Sequence, residues 1–107
     1  MVVLPGGPHL HLYYCREQVT NEVIRQLAEA APDLDLLNLA FCRHVTDIAP
    51  LASLKSLTTL SIVSCTGVKS VKALRSCTAL TELYLLDSSV TDASALASIE
   101  GLTIRRF

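Results

Sequence analysis

Apolar and polar positions along this chain recur as one phrase. Leu10-His11-Leu12-Tyr13-Tyr14-Cys15, Leu37-Asn38-Leu39-Ala40-Phe41-Cys42, Leu60-Ser61-Ile62-Val63-Ser64-Cys65 and Leu83-Tyr84-Leu85-Leu86-Asp87-Ser88 all read apolar, any, apolar, any, any, then thiol or hydroxyl. A broken copy, Leu102-Thr103-Ile104, closes the chain. The copies start 27, 23, 23 and 19 residues apart, a spacing at which self-similarity signals a solenoid rather than a single globular core. Each phrase has the alternation of a short strand, with its two apolar residues on one face. A return segment follows each strand, so successive strands are predicted to run parallel and to pair with the repeats before and after. The expected strands lie near residues 9–13, 36–40, 59–63, 82–86 and 102–105.

One more apolar anchor stands three residues upstream of the later phrases, at Leu34, Leu57, Leu80 and, for the broken copy, Ile99. The unit L-x-x-L-x-L-x-x-C/S resembles the leucine-rich repeat family over roughly residues 8–107. That resemblance implies an α/β right-handed solenoid with a parallel sheet of four to five short strands on its concave face. One domain, 1–107, is expected, with repeats at roughly 8–33, 34–56, 57–79 and 80–98 and a partial repeat at 99–107.

The return segments predict the convex side. Val23, Leu27 and Ala30 or Ala31 fall at helical spacing, with Glu22, Arg25, Gln26 and Glu29 between them, so an amphipathic α-helix is expected near 21–31. Thr20 is placed to cap it and Pro32 to stop it. Ile48, Leu51, Leu54 and Leu57 are instead spaced by three, as are Val68, Val71 and Leu74, and Ala93, Leu96, Ile99 and Leu102; that period fits 3₁₀ arcs. The first unit is similar to the cysteine-containing repeats of F-box substrate receptors. The later ones, with Val45-Thr46-Asp47-Ile48-Ala49-Pro50-Leu51 the clearest, are similar to the short repeats of phosphatase-regulatory and bacterial surface leucine-rich repeat proteins.

Composition narrows the function classes. Half of the 107 residues are apolar, enough for a continuous core in one domain. The net charge is −1 and the isoelectric point about 6.3, which gives no sign of a nucleic-acid partner; Lys69, Lys72 and Arg75 on one arc fall far short of a phosphate-tracking face. No apolar run approaches the roughly 20 residues that span a bilayer, so no membrane is expected. Met1–Gly7 lacks a charged secretory leader, and a cytoplasmic location is the expectation.

Cys15, Cys42 and Cys65 share one repeat position, continued by Ser88. In the family this position is usually Asn, which bonds the turn between repeats; the resemblance implies that Cys or Ser does so more weakly. Zinc on the stacked thiols, with His44 as a fourth ligand, is disfavoured because C-x-x-C spacing is absent and a linear column cannot wrap tetrahedrally round one ion. Cys77 belongs to the convex side. His9 and His11 share one strand face, an arrangement that could bind a metal or belong to a contact surface. No Ser-His-Asp set, paired carboxylates or Gly-rich phosphate loop can be assembled, so no catalytic residue, metal or cofactor is expected.

Strand residues that face away from the core line up across the repeats of a solenoid. The resulting concave columns are His9, Leu36, Thr59, Glu82; His11, Asn38, Ser61, Tyr84, Thr103; Tyr13, Ala40, Val63, Leu86, Arg105; and Tyr14, Phe41, Ser64, Asp87, Arg106. All three tyrosines fall there, and Tyr and Arg are frequent interface anchors. The expected partner-binding residues are His9, His11, Tyr13, Tyr14, Asn38, Phe41, Glu82, Tyr84, Asp87, Arg105 and Arg106. At the chain ends, Met1–Leu4 could fold over the first repeat, while an uncovered edge at Leu102–Phe107 suggests a longer array, a homo-oligomer or a capping partner. The function expected is a non-catalytic protein-interaction scaffold. The alternatives are a substrate-receptor or regulatory subunit of a ubiquitin ligase or phosphatase, or a structural subunit of a larger assembly.

Overall fold

The computed structural model describes residues 2–4, 7–12 and 17–106, with side chains from Pro8 onward in those ranges. Tyr13, Tyr14, Cys15 and Phe107 lie outside the described residues. Six strands form one sheet in chain order: β1 (Val2–Leu4), β2 (Gly7–His11), β3 (Leu36–Asn38), β4 (Thr59–Ser61), β5 (Glu82–Tyr84) and β6 (Thr103–Arg105). The five repeat strands, β2 to β6, pair parallel as expected. β1 is an addition: it pairs antiparallel with β2, Val2 opposite His9. Parallel pairing requires a crossover of about a dozen residues or more, and the two residues between these strands allow only a reversal.

Four of the repeat strands are only three residues long, shorter than the sequence predicts, and after β3, β4 and β5 the chain soon turns a corner. Phe41, Ser64 and Asp87 take positive φ values of 67°, 58° and 57° at that corner, a left-handed conformation costing a non-glycine residue about 1–2 kcal/mol. The ladder nevertheless continues through the corner: Leu39 N–H donates to the Ser61 carbonyl at 2.9 Å, Phe41 N–H to Val63 at 2.8 Å and Ser64 N–H to Leu86 at 2.8 Å. These bonds between repeats hold the strained residues in place.

The convex side follows the predicted change of period. Helix α1 (Asn21–Ala30) begins at Thr20, whose Oγ1 accepts from Val23 N–H at 3.4 Å. Its buried face is Ile24, Leu27 and Ala28, with Val23 only half-buried and Ala30 exposed. The expected face is thus rotated by one position, because 24, 27 and 28 form the stripe that carries the larger Ile24 inward. On the outer face Arg25 pairs with Glu22 and with Glu29, the latter at 3.1 Å. The next three repeats return through 3₁₀ arcs at Ala49–Ser53, Lys72–Ser76 and Ser94–Leu96, burying Leu51, Leu74 and Leu96. Each arc is entered through a short polar side chain that accepts a backbone N–H two residues on: Asp47 from Ala49 at 2.9 Å, Ser70 from Lys72 at 3.3 Å, Asp92 from Ser94 at 2.9 Å.

Packing follows from the pairing. Leu34, Leu37, Leu39, Leu57, Leu60, Leu80 and Leu83 are fully buried and join the arc leucines in one continuous core. The last repeat departs from the expected columns. Ile104, not Leu102, lies opposite Leu83, so Arg105 pairs with Tyr84 and Thr103 with Glu82. Leu10, Leu37, Leu60, Leu83 and Ile104 are one register, with intervals of 27, 23, 23 and 21 residues.

Thiols occupy the inter-repeat positions. Cys42, Cys65 and Cys77 are buried, and Cys65 and Cys77 are free thiols. Cys65 Sγ donates to the Leu39 carbonyl at 2.9 Å and Cys77 Sγ to Leu51 at 3.2 Å, each in the preceding repeat. Cys42 Sγ lies 3.8 Å from the Leu12 carbonyl, a weaker version of the same contact. Burial pushes the Cys65 thiol from 9.0 up to about 11 and raises that of Cys77 as well.

Four outcomes are expected from this packing. Leu39→Ala or Leu60→Ala should cost about 2–5 kcal/mol in denaturant unfolding. Gly67→Ala should cost about 1–3 kcal/mol by overpacking, since an added Cβ would stand 2.8 Å from the Val45 carbonyl oxygen and 2.9 Å from Thr46 Cγ2. Cys42, Cys65 and Cys77 should resist alkylation until the protein is denatured. Because Cys65 holds its proton more tightly folded than unfolded, its contribution is intact below pH 9 and falls as pH rises from 9.0 towards about 11, by up to about 1.4 kcal/mol per pH unit. Melting curves across that range should decline less steeply for Cys65→Ser than for the unmutated protein.

Candidate functional site

Alternation in the strands sends His11, Asn38, Ser61, Tyr84 and Arg105 to the concave face in one row, and His9, Leu36, Thr59, Glu82 and Thr103 in the row beside it. Between the rows lies a shallow depression of about 310 Å³, walled by His11, Leu36, Asn38, Ser61, Val63 and Tyr84. Its polar members are positioned by the backbone: Asn38 Oδ1 accepts from Ala40 N–H at 3.0 Å. His9 sits behind it, its ring 6.4 Å from that of His11 and its Nε2 3.9 Å from Asp35 Oδ2.

One end of the row is a three-residue cluster. Arg105 Nε donates to Glu82 Oε2 at 2.8 Å and Nη2 to Oε1 at 3.5 Å, while the guanidinium carbon stands 5.9 Å from the centre of the Tyr84 ring. Hydrogen bonding to Arg105 is the main cause of a Glu82 carboxyl held below its ordinary range, and the same contact raises Arg105. A planar guanidinium fixed by a carboxylate against an aromatic face is a pre-oriented recognition group.

Phe41, Asp87 and Arg106 do not join this cluster. Phe41, 48% exposed, stands at the left-handed corner, beside a separate depression of about 380 Å³ shared with Glu17, Arg43, Ser64 and Thr66. Asp87 occupies the same corner one repeat later than Ser64. At such a residue the side chain leaves the alternation of the strand, so neither belongs to the rows that hold Tyr84. Arg106 follows Arg105 in the position of the core column Leu39, Ile62, Leu85, and its Nη1 donates to the Val90 carbonyl at 2.9 Å. It is exposed and lies outside the two outward rows.

Sequence reasoning omitted Leu36, Val63 and Leu86 from the expected site. Leu36 and Val63 wall the depression, and Leu86 is 38% exposed. Their signal is an apolar residue where the repeat phrase tolerates any residue. A larger open cleft of about 750 Å³ lies outside the sheet, between the second and third repeats, with Arg43, Thr46, Asp47, Gly67 and Lys69 in its walls. Several of its polar groups are engaged in building the turns: Asn21 bonds the Thr46 side chain at 2.8 Å and its backbone N–H at 2.9 Å, and Asp47 caps the first arc. Glu17 pairs with Arg43 at 2.9 Å and with His44 at 3.1 Å on the adjoining surface. The concave depression is therefore the better candidate. Among the described residues no group of three or more His, Cys, Asp or Glu is arranged to hold a metal ion, and no helix is long and apolar enough to cross a membrane.

The architecture is similar to that of an internalin from Listeria monocytogenes, with a TM-score of 0.64 at 24% identity over 88% of this chain and 34% of that one. An internalin C2 from the same organism aligns at 19% identity over 78% of this chain and 55% of that one, with a TM-score of 0.36, too low to carry an argument. No family model and no curated protein matches the sequence. Together with the parallel sheet, the helix and the 3₁₀ arcs, the first likeness establishes the leucine-rich repeat fold. The chain spans about a third of the length of that internalin.

The Glu82–Arg105 pair has a direct readout. Arg105→Gln should move the Glu82 carboxyl titration upward, towards the ordinary carboxylate range, in carboxyl-detected NMR. The depressed value makes the pair's contribution present at neutral pH and lost as pH falls through the acid range. An unmoved titration would mean that Arg105 does not hold Glu82 in solution.

Proposed function

We propose that the chain is a non-catalytic protein-interaction scaffold that binds a protein partner through its concave face. The observation that carries this reading is the outward-facing row His11, Asn38, Ser61, Tyr84, Arg105, exposed at its ends and half-buried at its centre, beside the apolar walls Leu36 and Val63. A surface combining aromatic, guanidinium and apolar groups has the make-up of an interface centre, where a few anchors contribute most of the affinity. The buried free thiols Cys65 and Cys77 suit a reducing compartment, which favours the cytoplasm. The first repeat, with its α-helix among 3₁₀ arcs, favours a mixed array in which that unit is of the cysteine-containing class.

Capture from lysate of the source cells should separate the two faces. Tyr84→Ala combined with Val63→Glu should abolish recovery of the partner, each true anchor being worth at least about 2 kcal/mol, with circular dichroism and melting temperature nearly unchanged. Lys69→Ala with Lys72→Ala, on the arc side, should leave recovery intact. The opposite pattern would place the interface on the outer face and defeat the proposal.

A further inference from the structure

The concave cluster specifies the chemistry of what it receives, an inference resting on the concave-face reading above. In the Glu82–Arg105 pair the guanidinium is the outward member: the Arg105 side chain is 44% exposed against 32% for Glu82. Both Glu82 oxygens accept from Arg105, at 2.8 and 3.5 Å, so the less exposed carboxylate is committed to its partner and is the weaker site for an incoming charge. Arg105 has five N–H donors and gives Nε and Nη2 to Glu82; the Tyr84 ring stands 5.9 Å from its carbon. Glu82 and Tyr84 therefore fix the plane of a guanidinium that retains donors towards solvent.

Beside it, Tyr84 also walls the depression that Leu36 and Val63 line. A donor-rich cation and an apolar hollow thus share one aromatic side chain. We propose that the partner presents a carboxylate to Arg105 and a large apolar side chain to the hollow beside Tyr84, so that the bound segment carries an acidic residue next to an apolar one. Neutralisation by Glu82 removes most of the long-range attraction. Selection then rests on short, charge-assisted hydrogen bonds whose geometry the cluster sets in advance.

The test uses three small molecules alike in their phenyl group: hydrocinnamate, hydrocinnamamide and phenylpropylamine. Each is titrated into the isotopically labelled protein and followed at the Arg105 Nε–H and at the backbone amides of Ser61, Val63 and Tyr84. Hydrocinnamate is expected to give saturable shifts at all four positions and to bind about tenfold more tightly than the amide, the ratio of one charge-assisted hydrogen bond. Arg105→Gln should abolish that preference, and Arg105→Lys, which keeps the charge but loses the planar fork, should restore only part of it. Unchanged backbone spectra away from β5 and β6 would confirm that both variants fold. Equal affinity for the carboxylate and the amide, a preference for the amine, or a carboxylate preference surviving in Arg105→Gln would overturn the role of Arg105. Absence of shifts with all three would overturn the proposal as well, whereas the concave-face reading stands or falls separately on the capture experiment.

Discussion

Parallel pairing between strands of three residues is the constraint on which this molecule depends. A strand that short has no stability alone, and its leucines find no partners within their own repeat. Leu37 is buried because Leu10 and Leu60 lie on either side of it, and Leu60 because of Leu37 and Leu83. The same dependence extends beyond the strands. Backbone N–H groups at Leu39, Phe41, Ile62, Ser64 and Leu85 all donate to carbonyls of the following repeat, and Cys65 and Cys77 donate to carbonyls of the preceding one. Stability is therefore a property of adjacent pairs, and strain at Phe41 and Ser64 persists because each donates its backbone N–H to the following repeat.

Once the core is closed by inward leucines, outward strand positions are released from any structural duty. Tyr84, Arg105 and Glu82 use that freedom to build a cluster from side chains of two successive repeats. It is local in space although 23 residues separate Glu82 from Arg105. On the arcs, polar side chains such as Asn21, Asp47 and Ser70 are engaged in capping and in joining one turn to the next.

Much of this architecture was legible in the sequence, since the periods of two, three and three-to-four residues each correspond to one backbone geometry. The phrase at Leu37, Leu60 and Leu83 located three strands, Thr20 and Pro32 bracketed the helix, and spacing of three located the arcs. The alignment of the last repeat was not legible. Moving a strand by two residues leaves every side chain on its original face, so Leu102-Thr103-Ile104 matches Leu83-Tyr84-Leu85 as a pattern although Ile104 is the residue paired with Leu83. That slip hid the meeting of Arg105 with Tyr84 and Glu82. The corner at Phe41 and Asp87 was hidden for a different reason: these are ordinary L-residues, and no glycine announced the left-handed turn that carries them off the strand.

In-register stacking has a consequence for how such a surface can change. Each repeat advances the sheet by one strand spacing, about 4.8 Å, and presents the same two outward positions. Gain or loss of a whole repeat between β3 and β5 would translate Tyr84 relative to Asn38 by that single step while every leucine kept an equivalent neighbour. The distance between recognition groups is quantised, and a partner whose own groups do not match a multiple of that step cannot be accommodated by point substitution in the core, only by a change in the number of repeats.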